Sequence, residues 1–176
     1  MTGTEFRSWC TRRVRLLDGA TGSNLRAAGM PAGVCAETWI LEHPQPLQAL
    51  QQAYAAAGSE IVLAPTFGAN RALLGTHGLE AHVADYNRRL IALTREAVGG
   101  SALIAADMTT TGQPVPPDDD AAYARLLDIY TEQANAVLDA GVDLFFVETM
   151  MGLTECMAAV EAIRALTDTA IVCTMS

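Results

Sequence analysis

Short apolar runs alternate along the chain with longer segments of helical periodicity. Five aliphatic runs predict β-strands: Val14–Asp18, Glu60–Ala64, Ala102–Asp107, Val142–Glu148 and Ala170–Met175. Their apolar residues are continuous rather than alternating with polar ones. This pattern is typical of strands that are covered on both faces, as in a parallel sheet.

Four helical segments separate these runs, at positions 46–58, 79–98, 118–141 and 153–166. Each repeats its apolar residues at spacings of three and four. Asp118, Asp119 and Asp120 are expected to supply an N-cap and first-turn acids, and Thr154 is a possible cap for the last helix. The order β-α-β-α-β-α-β-α-β predicts an α/β fold whose parallel strands are joined by helical crossovers.

Composition and charge narrow the function classes. The 176 residues are 51% hydrophobic, which predicts a packed globular domain or part of a larger one. No apolar run reaches the ~20 residues of a membrane span, and no secretory signal is visible, so a cytoplasmic location is expected. A net charge of −9, with 11 arginines and no lysine, argues against binding to nucleic acid.

The metal-binding residue types show no ligand spacing. Cys10, Cys35, Cys156 and Cys173 form no CxxC pair, so free thiols are expected and no metal site is assigned. The three histidines likewise form no HxH or HExxH pair. No catalytic acid or base is assigned from these patterns.

Two strands end on acids, Asp18 and Glu148. Ligands of parallel α/β folds bind at the carboxyl ends of the strands, so the two acids could converge on a cationic group such as a substrate ammonium. The alternative is that each acid caps a helix or pairs with an arginine. In "APTFGANR", Thr66, Phe67 and Asn70 could orient a ligand or simply form a turn. The stretch "DMTTTG" is interpreted as solvated turn residues.

Four stretches, in order, resemble the homocysteine S-methyltransferase family: "LLDGATGSNL", "YAAAGSEIVLAPTFGAN", "ALIAADMTTTG" and "AGVDLFFVETM". The resemblance implies a TIM (β/α)8 barrel and methyl transfer to the sulfur of homocysteine, which gives methionine. It also implies a zinc ion, held by three cysteines, that binds the substrate thiolate. The implied substrate-binding set is Asp18, Gly19, Thr66, Phe67 and Glu148, with the acids pairing to the substrate ammonium.

The resemblance covers about strands one to five of the barrel, so an incomplete barrel is expected. Residues 1–13 are interpreted as an N-terminal extension and residues 14–176 as the partial homocysteine-binding barrel domain. Family members place the zinc cysteines after strands six and eight, and none of the four cysteines here matches those positions. The methyl donor stays open, with methylcobalamin possible.

Two functional hypotheses follow from an incomplete barrel. In the first, the chain is the substrate-binding part of a methyltransferase, and it self-associates or joins a partner that supplies the C-terminal half-barrel, because unpaired edge strands favour pairing. In the second, the chain is a non-catalytic truncated half-barrel that acts as a binding or assembly module.

Overall fold

In the computed structural model, which describes residues 1–113, 115–116 and 119–176, four parallel strands form one sheet. The strands are β1 (Ile61–Ala64), β2 (Leu103–Met108), β3 (Leu144–Met150) and β4 (Ile171–Met175). They lie in the order β1-β2-β3-β4, so each strand pairs with the next one along the chain. This arrangement confirms the predicted parallel α/β fold of an incomplete barrel.

The helices precede, join and follow these strands. Before β1 come α1 (Gly3–Cys10), α2 (Gly22–Ala27), α3 (Ala36–Glu42) and α4 (Pro44–Ala56). The crossovers contain α5 (Arg71–Gly75), a 3-10 turn at Glu80–His82, α6 (Val83–Val98), α7 (Asp120–Ala140) and α8 (Leu153–Leu166). The sequence predicted α4, α6, α7 and α8, whereas α1, α2, α3 and α5 were not predicted because each is too short to show a clear period.

The outer face of the sheet packs against the crossover helices. Side chains of alternate strand residues, among them Val62, Ile104 and Phe145, are buried there with Leu126 and Tyr130 of α7. A side-chain period of two in a strand and an apolar stripe on a helix produce this layered core.

The inner face is closed at one end by the N-terminal helix. Phe6 and Trp9 of α1 pack against a buried cluster that includes Ile61, Leu144 and Phe146. The N-terminal ammonium donates a hydrogen bond to the Asp143 carbonyl at 3.0 Å. Residues 1–13 therefore cover the amino-terminal ends of the strands, and the carboxyl ends remain open to a ligand.

The first predicted strand, Val14–Asp18, is present only in part. Leu17 forms one isolated parallel bridge with Ile61, and the Asp18 N–H donates to the Ile61 carbonyl at 3.0 Å. The expectation of a full strand is wrong because no described residue pairs with the opposite side of this segment. Val14 accordingly is 80% exposed.

Of the predicted helix caps, the one for α7 is present and the one for α8 is not. The N-cap of α8 is Gly152, whose backbone is extended, so the expectation that Thr154 caps this helix is wrong. The N-cap of α7 is Asp119, which accepts a hydrogen bond from the Ala122 N–H at 2.8 Å, as expected of an acid at this position. The predicted contribution of Asp118 lies outside the described residues.

Both edges of the sheet expose apolar side chains. On one side these are Val14, Leu16 and Leu17, and on the other they are Met151, Leu153, Met157 and Met175. Within the described part of the chain, β4 has no second neighbour, and β1 has only the single bridge between Ile61 and Leu17. Across the same residues, no helix is long and apolar enough to span a bilayer.

Candidate functional site

Four carboxylates line a cavity of about 600 Å³ at the carboxyl ends of the strands. Asp107 and Glu148 lie near the carboxyl ends of β2 and β3, Asp18 lies beside β1, and Glu37 comes from α3. Asp107 is in register with Phe146, and Glu148 lies two residues beyond Phe146, so both point to the inner face. The sheet therefore brings together the two acids that the sequence singled out and adds a third.

Asp18 is half-buried and anchored to β1. Its Oδ2 atom accepts a hydrogen bond from the Leu63 N–H at 3.0 Å. Burial raises the pKa of this carboxyl to about 6, with a smaller contribution from the negative charge of Glu148, although the Leu63 hydrogen bond acts in the opposite direction. The ionised form of Asp18 is thus poorly compensated within the protein, and a cation in the cavity would stabilise it.

A bulge in β3 lies next to Glu148. The register between β3 and β4 shifts between Val147 and Met150, and Thr149 adopts a left-handed φ of 56°. Such a backbone conformation is strained for a β-branched residue, and bulges often redirect a side chain next to a site. Burial raises the pKa of the Glu148 carboxyl. Glu148 thus ends the apolar run of β3 at the point where the regular pairing with β4 stops.

Asp107 is only 7% exposed, and no described residue donates a hydrogen bond to its Oδ1 atom. Burial, followed by the charges of Glu148 and Asp18, raises the pKa of this carboxyl well above its usual range. The interpretation of "DMTTTG" as solvated turn residues is therefore wrong, since Asp107, Thr109 and Thr111 are all buried. Asp107 is buried at the inner face of β2, whereas Thr109 and Thr111 lie in a loop that is held by Tyr130 of α7 and Glu155 of α8.

Thr66 holds the backbone of Asp107 instead of facing the cavity. Its Oγ1 atom donates to the Asp107 carbonyl at 2.8 Å and accepts from the Asp107 N–H at 3.0 Å. The Thr66 carbonyl in turn accepts a hydrogen bond from Gln133 at 2.8 Å. Thr66 thus joins the end of β1 to the end of β2. Asn70 acts as the N-cap of α5, with its side chain accepting from the Leu73 N–H at 2.9 Å.

Gly19 and Phe67 both line the cavity. A Cβ atom added to Gly19 would lie 2.8 Å from the Tyr54 hydroxyl oxygen, so a larger residue here would have to displace the Tyr54 ring. Phe67 is 38% exposed and contributes to an apolar wall. The wall also includes Leu25, Met30, Ile40 and Leu63.

Sequence reasoning missed Glu37, a buried acid in the first turn of α3. Its Oε1 atom accepts from the Gly68 N–H at 2.8 Å, and the Cys35 thiol donates to its Oε2 at 3.4 Å. Both oxygens are therefore occupied by the protein. The short helix α3 gave no periodic signal that could have placed Glu37 at the cavity.

A buried hydrogen-bond network fixes the loop that follows Asp107. Glu155 of α8 accepts from the Thr110 hydroxyl at 2.5 Å and from both the N–H and the hydroxyl of Thr111 at 2.6 Å. The Tyr130 hydroxyl donates to the same carboxylate at 3.1 Å. This network connects the carboxyl end of β2 to α7 and α8.

The lining of the cavity is negatively charged. No lysine, arginine or histidine lies among its described lining residues. The ion pairs formed within residues 1–113, 115–116 and 119–176 include neither Asp18 nor Glu148. The alternative that these acids serve to pair with arginines therefore has no support in the described structure.

The thiols do not fit a zinc site. All four cysteines are free: Cys156 belongs to α8 and Cys173 to the exposed part of β4, whereas Cys10 ends α1 at the other end of the sheet. Among the described residues, no three groups of the types that bind metals lie close enough to share an ion. The three-thiolate ligand set that the resemblance implies is not formed by this part of the chain.

Comparisons with known proteins agree on one family. The sequence profile of homocysteine S-methyltransferase matches residues 15–176. Methionine synthase of Mycobacterium tuberculosis is 30% identical over 169 residues, which is 89% of this chain but 14% of that protein. Methionine synthase of Mycobacterium leprae is 28% identical, again with 14% of its length covered.

Solved structures show the same fold. The metallated form of the homocysteine methyltransferase MmuM from Escherichia coli superposes with a TM-score of 0.79 at 23% identity, over 94% of this chain and 64% of MmuM. Its apo form gives a TM-score of 0.74 at 21% identity. The chain thus spans less than two thirds of each of these relatives. From the matched profile and the shared fold, the chain belongs to the homocysteine S-methyltransferase family.

Proposed function

We propose that this chain binds homocysteine and is the substrate-binding part of an enzyme that methylates its sulfur to give methionine. The observation that carries the proposal is the acidic cavity, in which Asp18 and Glu148 face the interior without a basic partner among the described residues. Buried carboxylates are costly unless they are paired, so an ammonium is the expected complement.

The proposed orientation follows from the lining. The ammonium of homocysteine lies between the acids, and its methylene groups contact the apolar wall that includes Phe67 and Leu63. The substrate carboxylate lies away from the acids, toward the glycine-containing loop Gly19–Gly22, because backbone N–H groups can bind an anion. In this orientation Gly19 lets the backbone lie close to the substrate, and Thr66 acts indirectly by holding the backbone of Asp107.

The methyl-transfer step needs groups beyond those described. A metal ion removes the proton from a thiol near neutral pH, and thiolate is the nucleophile in such transfers. Because the four cysteines do not converge, no step through zinc is derived from this chain. We propose that further barrel strands, from additional polypeptide or from a partner, supply the metal-binding half. The methyl donor, for which methylcobalamin is one candidate, would also be bound there.

Isothermal titration calorimetry tests the proposal without requiring turnover. The chain is titrated with L-homocysteine and with 2-hydroxy-4-mercaptobutanoate, which replaces the ammonium by a hydroxyl. We expect homocysteine to bind at least tenfold more tightly, by about 1.5–3 kcal/mol, because a charged hydrogen bond is lost in the analogue. Equal affinities, or no binding of homocysteine, would contradict the proposal.

A further inference from the structure

Asp107 is a buried acid to which the binding mode proposed above assigns no contact with the substrate. It is 93% buried, given its 7% exposure, and its Oδ1 atom has no hydrogen-bond partner among the described residues. Glu37, the other strongly buried acid of the cavity, differs because each of its oxygens accepts a hydrogen bond from the protein. An unpaired buried carboxyl is destabilising, so its retention at a cavity points to a ligand.

The backbone around Asp107 is held by hydrogen bonds on both sides. Thr66 hydrogen-bonds both its N–H and its carbonyl, and the Glu155 network holds the loop that follows. The Asp107 side chain therefore does not reach the cavity by chance movement of a loop. Two independent elements fix its position beside Asp18 and Glu148.

We propose that Asp107 is a substrate-binding and specificity-determining residue that accepts the third N–H of a primary ammonium, with Asp18 and Glu148 accepting the other two. A primary ammonium carries three N–H donors, and the cavity presents three acids from three neighbouring segments of the sheet. This inference rests on the proposed function and adds to it a requirement for an unsubstituted amine.

The electrostatics agree with this geometry. Burial, and then the charges of Glu148 and Asp18, oppose ionisation of Asp107 and raise the pKa of its carboxyl in the free protein. A bound cation would offset that repulsion. Replacing one N–H by a methyl group would remove a hydrogen bond and place an apolar group against a carboxylate, which is unfavourable in a buried site.

Calorimetric titration of the whole chain with L-homocysteine and N-methyl-L-homocysteine tests the proposal. We expect the wild type to bind homocysteine at least tenfold more tightly than its N-methyl derivative. Asp107→Asn should weaken homocysteine binding at least tenfold and reduce the difference between the two ligands. Asp139→Asn, which removes the same charge from an exposed position near the end of α7, should leave both affinities unchanged.

Melting of the variants separates a ligand-binding role from a structural one. Because the carboxyl is unpaired, Asp107→Asn should melt at the wild-type temperature or above it. Asp107→Ser provides a second, smaller replacement. Failure of both variants to fold, or unchanged homocysteine affinity in a folded variant, would overturn the proposal. Competition by Ca²⁺ as strong as that by homocysteine would also overturn it, since the acids would then form a metal site.

A further probe distinguishes failure of this inference from failure of the proposed function. If the wild type binds no homocysteine, the proposed function is wrong, and n-butylammonium then decides the role of Asp107. At least tenfold preference for n-butylammonium over its N,N,N-trimethyl derivative, lost in Asp107→Asn, would support an ammonium site. No preference, or one unchanged in Asp107→Asn, would remove Asp107 from any such site.

Discussion

The carboxyl groups of the cavity are held in environments that disfavour their charge. Burial raises the pKa values of Asp18, Asp107 and Glu148, and mutual repulsion adds to the effect at Asp18 and Asp107. Each of these groups therefore binds protons more readily in the folded protein than in the unfolded chain. Their arrangement makes the empty site less stable at neutral pH and favours a cationic ligand.

The raised pKa of the Asp18 carboxyl predicts that its contribution to the unfolding free energy depends on pH. Its stabilising contribution is complete below about pH 4, where it is protonated in both states, and is lost as pH rises through the folded pKa of about 6. A shift from 3.8 to about 6 corresponds to at most ~3 kcal/mol of unfolding free energy. We expect Asp18→Asn to gain stability relative to wild type between pH 4 and 7, as measured by urea denaturation.

The exposed variant Asp139→Asn is the control for the charge change. Its stability should differ from that of wild type by a similar amount at each pH, since Asp139 is exposed and lies outside the cavity. A constant difference between Asp18→Asn and wild type from pH 4 to pH 7 would show that the Asp18 carboxyl titrates normally.

At the scale of elements, the end of β2 depends on α8. Glu155 accepts three hydrogen bonds from Thr111 and Tyr130 at Oε1 and one from Thr110 at Oε2. In glutamine one of these oxygens is replaced by an NH2 group, which donates and cannot accept. We expect Glu155→Gln to lower the unfolding free energy by about 2–3 kcal/mol. Thermal and urea denaturation would measure this loss.

Glu161→Gln is a matched control on the same helix. Glu161 is exposed and accepts one hydrogen bond from Tyr123, so its replacement should change stability by less than about 0.5 kcal/mol. Equal effects of the two substitutions would contradict the role assigned to the buried network.

The sequence predicted the elements whose pattern is local and missed those that depend on tertiary contacts. The runs that became β1, β2 and β3 are continuous and apolar, as expected of strands that are buried along most of their length. The run that became β4 is also apolar, although its residues 173–175 are exposed. The bulge at Thr149 and the location of Glu37 arise from packing between distant segments. The burial of Asp107 and of the threonines after it was missed for the same reason. Asp107 faces a cavity shared with Asp18 and Glu148, and the threonine loop is held by α7 and α8, which lie later in the chain.

At the scale of the whole molecule, the two open edges are the main unsatisfied feature. Exposed apolar residues include Leu16 on one edge and Met157 on the other. Unpaired strands and exposed apolar patches favour association with another surface. The proposal that a partner or a second copy completes the site follows from these edges and from the incomplete coverage of its relatives.

We therefore expect the isolated chain to associate in a concentration-dependent manner. Met157→Glu should weaken that association, because it places a charge on the exposed face of α8. Val34→Glu, at an exposed loop position before α3, is the control and should have little effect. Light scattering would measure the mass. A monomer at all concentrations up to the millimolar range would contradict the expectation.

The most direct test of the account is whether Glu148 contacts the ammonium of homocysteine. Calorimetry compares homocysteine with 2-hydroxy-4-mercaptobutanoate in wild type and in Glu148→Gln, with the exposed substitution Glu80→Gln as the control. We expect Glu148→Gln to weaken homocysteine binding by roughly ten- to a hundredfold, which is the range of a charged hydrogen bond. The affinity for the analogue should stay unchanged. Unchanged homocysteine affinity in a folded Glu148→Gln protein, or equal losses for both ligands, would contradict the account.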